Sequence, residues 1–176
     1  MSTLVIGTAE QGLMYAIMVL GVYLSFRVLN YADLSVEGSF TLGAATTATL
    51  IVGGTNPWSA TAVAFVAGIL AGLFTGILHT RFKITPLLSG ILTMTALYSI
   101  NLRIMGKANV SLLRSETIFT DFQALPLSFM PKFGTLILCF FAVVLIATIL
   151  YRFLQTEIGL ALRATGDNEV MISSLG

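Results

Sequence analysis

The sequence predicts an all-α, polytopic membrane bundle of about five transmembrane helices, followed by a pair of short helices outside it. Two observations carry this. Of 176 residues, 56% are hydrophobic and 10% are charged, under half the ~25% charged residues of an ordinary soluble domain. The few charges are also bunched, leaving charge-free runs at 11–26, 38–80, 84–102 and 133–151. A helix that spans a bilayer needs about 20 mostly apolar residues, so these runs fit a membrane. A soluble enzyme is excluded. Nucleic-acid binding is excluded too, because a net charge of +1 without a basic patch gives phosphates nothing to bind.

The first span is expected at about 11–29, with Glu10 just before it and Arg27 able to snorkel to the interface. The N-terminus lacks a Lys/Arg region and a small-residue cleavage site, so this run is expected to be retained. The 43-residue run 38–80 is too long for one helix and divides at Gly53-Gly54-Thr55-Asn56-Pro57, where a glycine pair and Asn-Pro end helices. That gives spans at 36–53 and 57–80, with Pro57 in a first turn that has no use for its missing N–H. Trp58 falls at the headgroup level. The fourth and fifth spans are expected at 84–102 and 133–151. Cys139 lies inside the fifth, where a lone thiol forms no intrachain disulfide and no zinc cluster.

Three segments lie outside the spans: 27–37, 103–132 and 152–176. The second mixes Leu112, Leu113, Ile118, Phe119 and Phe122 with charges and contains Pro126 and Pro131, which predicts a structured loop with a short surface helix. Positive charges are nearly balanced across the membrane. The tight His79-Thr80-Arg81-Phe82-Lys83 turn favours its own side as cytoplasmic. By parity, 27–37 and 152–176 are then inside, and the N-terminus and 103–132 outside.

Three motifs stand out. Gly68, Gly72 and Gly76 repeat every fourth residue, with Ala64 in line, and such a stripe lets helix backbones approach closely; it predicts that the third span packs inside the bundle. At the mouth of the second span, Asp33 or Ser35 can cap the helix. Asp33 and Glu37, four apart, would share a helical face bordering a water-filled path, because ionisable groups at membrane depth are costly without one. The tail has apolar pairs at Ile158/Leu162 and Met171/Leu175, with a turn expected at Thr165-Gly166-Asp167-Asn168 between two short helices. Its polar residues are acidic rather than basic, which favours a protein partner over a membrane surface.

Other signatures are missing. Gly106-Lys107 is followed by Ala108 and has Asn101 where a phosphate-binding loop needs its first glycine, so the chain is not expected to hydrolyse nucleotide. The single histidine, His79, excludes a Ser/His/Asp site. Asn109-Val110-Ser111 matches a glycosylation sequon that carries no weight without a secretory context. No metal site and no cofactor are expected.

Two segments, NYADLSVEGSFTLGA at 30–44 and TEIGLALRATGDNEVMISSLG at 156–176, resemble the permease subunits of bacterial ABC importers of the branched-chain amino acid and ribose type. The second matches the family pattern through Gly159, Ala161, Arg163, Ala164, Gly166, Asp167, Asn168, Leu175 and Gly176. Within that family the chain looks closest to the branch linked to aromatic amino acids such as tryptophan and tyrosine. The resemblance implies that 1–151 is the transmembrane bundle and 152–176 a cytoplasmic coupling segment. In that segment Glu157, Gly159, Arg163, Ala164, Gly166, Asp167, Asn168, Met171 and Leu175 would meet an ATP-binding subunit. It also implies that the second span lines the translocation path through Asp33, Ser35, Glu37, Ser39, Phe40 and Thr41. The outer loop would face an extracytoplasmic substrate-binding protein, and a second permease subunit, a homodimer partner, would complete the pore in the bacterial plasma membrane.

Family members normally continue for several more helices, so the chain is expected to be the N-terminal part of a longer permease or to be completed by a second chain. The expected function is that of a non-enzymatic transport subunit for a small polar solute, most readily an amino acid. The rival from another class is a channel or secondary carrier made by oligomerising a five-helix unit, with Asp33 and Glu37 as ion or proton sites. A membrane enzyme is disfavoured for want of a catalytic cluster.

Overall fold

A computed structural model describes residues 2–112, 115, 117, 118, 120, 134–168, 171, 172 and 174. They are helical and fall into two units, one drawn from Met1–Ala32 and Phe129–Gly176, the other from Asp33–Ser128.

In the second unit, α2 (Ser35–Val52), α3 (Pro57–Thr80) and α4 (Pro86–Met105) pack against one another. Local chemistry sets their ends. Gly53 closes α2, Gly54 turns at a φ of 86°, and Thr55 Oγ1 donates to the Leu50 carbonyl at 2.6 Å. Asn56 then caps α3 by accepting from Trp58 N at 2.9 Å, with Pro57 in the first turn. The expected break at 53–57 therefore holds. α4 begins two residues later than expected because Pro86 takes its first turn. It continues to Met105, where Gly106 supplies the left-handed cap at φ 63°. Residues 103–105 of the expected outer loop are thus helical, and most of the remainder (113, 114, 116, 119 and 121–133) lies outside the described residues.

The core of this unit is small. Leu42, Ala71 and Leu97 meet at its centre, with Ala67 and Ile104 against them. Thr75 Oγ1 donates to Thr93 Oγ1 at 3.1 Å, and Thr93 Oγ1 donates to the Ser89 carbonyl at 2.9 Å, all three residues fully buried. Where lipid is as apolar as any core, small side chains and interhelical hydroxyl bonds hold helices together. The expected glycine stripe does not take part. A Cβ added to Gly68, Gly72 or Gly76 would meet nothing within 4 Å among the described residues. The buried face of α3 is instead Ala60, Ala64, Ala71 and Thr75, since alanine already permits the approach that glycine was expected to provide.

In the first unit, α1 (Ser2–Tyr23) runs on into a π-helical turn, Leu24–Val28, and packs against α5 (Gly134–Leu154). α1 starts nine residues before its expected beginning. Glu10 lies inside the helix, because one carboxylate among good helix formers does not end it. The π turn shows in Leu29 N donating to the Leu24 carbonyl at 3.0 Å, and Tyr31 N donates to the Ser25 carbonyl at 2.9 Å where the helix ends. After the turn at Gln155–Thr156, α6 (Glu157–Asp167) follows, with Thr156 as N-cap.

Four of these helical stretches are long and apolar enough to cross a membrane: Leu4–Val28, Pro57–Thr80, Pro86–Met105 and Gly134–Leu154. α2, expected as the second span, is 18 residues long but less apolar, with Ser, Thr or Glu at 35, 37, 39, 41, 46, 47 and 49. Several of its hydroxyls are satisfied within the helix, Thr46 by the Leu42 carbonyl and Thr49 by that of Ala45.

Candidate functional site: a polar seam and a docking helix

The α2–α4 seam begins at Asp33, whose Oδ1 accepts a hydrogen bond from Ser35 N at 2.7 Å. Gly90 of α4 presses on this cap. A Cβ there would lie 2.7 Å from Leu34 N and 3.1 Å from Asp33 Oδ1. The expected pairing of Asp33 and Glu37 on one helical face is corrected: α2 starts at Ser35, so Asp33 precedes the helix and its carboxylate turns in to cap it.

One turn on, Gly38 brings the helices together, its missing Cβ leaving 3.2 Å to Met94 Cα and to Leu97 Cδ1. Beside this approach lies an open cleft of about 510 Å³ lined by Glu37, Gly38 and Thr41 of α2 and Met94, Thr95 and Tyr98 of α4. Thr41 Oγ1 donates to the Gly38 carbonyl at 2.9 Å and accepts from Asn101 Nδ2 at 3.0 Å. Because the Thr41 proton is already committed, its oxygen can only accept, and this fixes the direction of the Asn101 amide. Asn101 is 5% exposed, and its Oδ1 is buried with no hydrogen-bond partner among the described residues.

Of the six expected path residues, only Glu37 and Thr41 line the cleft. Ser35 is buried, Ser39 is half-buried and donates to the Val36 carbonyl at 2.9 Å, and Phe40 is exposed elsewhere on α2. Sequence reasoning missed the α4 half of the cleft. The signal was the row of polar residues inside the run 84–102, among them Thr93, Thr95, Tyr98 and Asn101.

α6 is fixed from beneath by two glycines. At Gly159 a Cβ would collide with the Phe153 carbonyl and Leu154, and at Gly166 with the Val28 carbonyl of the π turn. This corrects the expected turn at 165–168. Gly166 lies within the helix, and it is glycine because the helix rests on another backbone. The break falls at Asn168, which is extended (φ −158°, ψ 96°) and accepts from Met171 N at 3.0 Å to cap the next turn. Away from that contact, Ile158 and Leu160 are 66% and 55% exposed on opposite flanks of the helix, with Glu157, Arg163 and Asp167 also exposed. Leu162 and Ala164 are half-buried, Asn168 and Met171 are exposed, and Leu175 lies outside the described residues.

A family model described as the permease component of the branched-chain amino acid transport system matches residues 4–176. The chain belongs to this permease family. It is 42% identical over 172 residues, 98% of its length, to the Tyrosine transport system permease protein of Clostridioides difficile (strain R20291). It is 33% identical over 177 residues, again 98% of its length, to an uncharacterized protein of Rickettsia prowazekii (strain Madrid E). The permease chain spans 55% and 58% of the length of these two relatives. No solved structure matches it. Its long apolar helices and this family make the chain a multi-pass protein of the cell membrane.

Proposed function

We propose that the permease serves an ATP-driven ABC importer of an aromatic amino acid, of which tyrosine is the first to test. α6 would dock on a cytoplasmic ATP-binding subunit, an extracytoplasmic substrate-binding protein would deliver the cargo, and a second permease subunit would complete the pore. The turn at 79–83 and the tail from 152 would be cytoplasmic, with 103–132 outside. The observation that carries this reading is the outward face of α6. Two large aliphatic side chains and three charges stand exposed on a helix whose other face is fixed to the backbone of the π turn and of the α5 terminus. Such a surface suits a soluble groove that straddles the helix: Ile158 and Leu160, on opposite flanks, would be buried by its two walls, and Arg163 and Asp167 would set the register through charged hydrogen bonds. The cargo class draws support from the tyrosine transport relative.

Proteoliposomes holding the permease, its ATP-binding subunit and its binding protein test the reading. ATP inside should drive uptake, and Ile158→Glu should release the ATP-binding subunit while the bundle stays folded. Uptake that follows an ion gradient and ignores ATP would overturn the importer and favour the carrier.

A further inference from the structure

We propose that the α2–α4 cleft is a way-station that recognises the cargo by its ammonium group, with Glu37 as counter-charge and Tyr98 and Met94 as the wall for an aromatic side chain. This rests on the amino-acid reading above and adds to it a position and a polarity.

The hydrogen-bonding inventory of the cleft is one-sided. Glu37 brings a carboxylate, and no Lys, Arg or His is among the described lining residues. The Thr41 hydroxyl gives its proton to the Glu37 and Gly38 carbonyls, and the Thr95 hydroxyl gives its proton to those of Ile91 and Leu92. Both oxygens therefore face a ligand as acceptors only. Behind Thr41, the buried Asn101 Oδ1 also finds no donor. Among the described lining residues, the Tyr98 hydroxyl is the one side-chain donor left. A wall rich in acceptors with a single negative charge takes a ligand with several N–H donors and a positive charge, and an ammonium group has both.

The apolar part of the cleft fixes the rest of the ligand. The Tyr98 ring is 67% exposed and offers a face for offset stacking or for a cation, and the Met94 thioether beside it adapts to an aromatic edge. At about 510 Å³, the cleft lies within the range of small-molecule sites. With no cation to meet it, the cargo carboxylate would stay toward the open side, in water. The cleft thus orders the cargo ammonium-first, and it should prefer an amine without a carboxylate to an acid without an amine.

The test uses tyramine and 3-(4-hydroxyphenyl)propionate, the amine-only and acid-only relatives of tyrosine. Binding of each to the complete permease subunit in detergent is followed by equilibrium dialysis. Tyramine should bind at least about tenfold more tightly than the acid. Glu37→Gln should bring the two within about twofold, and Glu37→Asp should retain most of the difference; Glu37 is exposed, so both variants should melt like the wild type. Equal binding of the two probes, or tyramine binding untouched by Glu37→Gln, overturns the inference. Uptake by the full importer separates it from the reading beneath it. If tyrosine enters with ATP and Glu37→Gln leaves the rate unchanged, the way-station fails and the importer stands. If tyramine binds through Glu37 but ATP drives no tyrosine uptake, the importer reading fails and the cleft assignment stands.

Discussion

Gly166→Ala is the most discriminating single change, because two readings of the tail predict opposite signs. In an isolated helix, alanine is better than glycine by about 1 kcal/mol, so a solvated α6 would gain stability. In the structure, a Cβ at this position would overlap the Val28 carbonyl oxygen and lie 3.0 Å from Leu29 C and Cα. Those atoms are backbone at the end of the π turn, where Val28 is buried, and cannot rotate away. Relief requires the helix to lift by roughly 1 Å, and overpacking of this kind costs about 1–3 kcal/mol. Set against the propensity gain, the net expectation is a loss of zero to about 2 kcal/mol in the seating of α6. Hydrogen exchange reads this directly. Amides of residues 161–168 should lose protection in the variant by up to about thirtyfold, with those of α3 unchanged. In the reconstituted importer the same variant should hydrolyse ATP with reduced uptake per ATP. Slower exchange in α6, together with normal coupling, would refute the seating and the docking reading built on it.

Further predictions follow from the same geometry. Gly90→Ala should lower the detergent melting temperature, since its Cβ would sit 2.7 Å from Leu34 N at a cost of about 1–3 kcal/mol, whereas Gly72→Ala, with open space around it, should melt at or above the wild-type temperature. Asp33→Ala should cost about 1 kcal/mol by removing the 2.7 Å cap on Ser35 N, and Asp33→Asn should recover most of it in the same melt. Single cysteines at Lys107 and Lys83, in a Cys139→Ala background, should label from outside and inside respectively with a membrane-impermeant maleimide. Label at position 107 only from the cytoplasmic side would invert the proposed topology.

What could be read in advance divides along physical lines. The α3 bounds were legible to the residue, because Asn-Pro after paired glycines and a positive cluster at 79–83 are local signals. The α1 start was not, because Glu10 looks like a boundary charge in a linear string and becomes an ordinary helical residue once α5 packs alongside. Gly166 shows a deeper limit. A glycine that turns the chain and a glycine that lets two backbones touch look the same in sequence, and only the position of Val28, more than 130 residues away, tells them apart. The cleft was half legible: the charge on α2 drew attention to Glu37, while Tyr98 and Thr95 lay in an uncharged run that read simply as a span. The docking role proposed for the tail came from its sequence pattern; the way it is held did not.

The π turn at Leu24–Val28 has a consequence for how the chain tolerates change in length. A π turn is an α-helix with one residue inserted, and each residue of an α-helix advances the azimuth by about 100°. The extra residue therefore acts as a phase shifter: it sets which way the Val28 carbonyl points independently of which side of α1 meets α5. Deleting Ser25 would restore a regular α ladder, yet it would swing the first 24 residues about a third of a turn relative to the platform on which Gly166 rests. Helix regularity and domain register are in opposition at this point. A shorter, locally better helix would present the wrong stripe to α5, and the irregular one keeps both surfaces in phase.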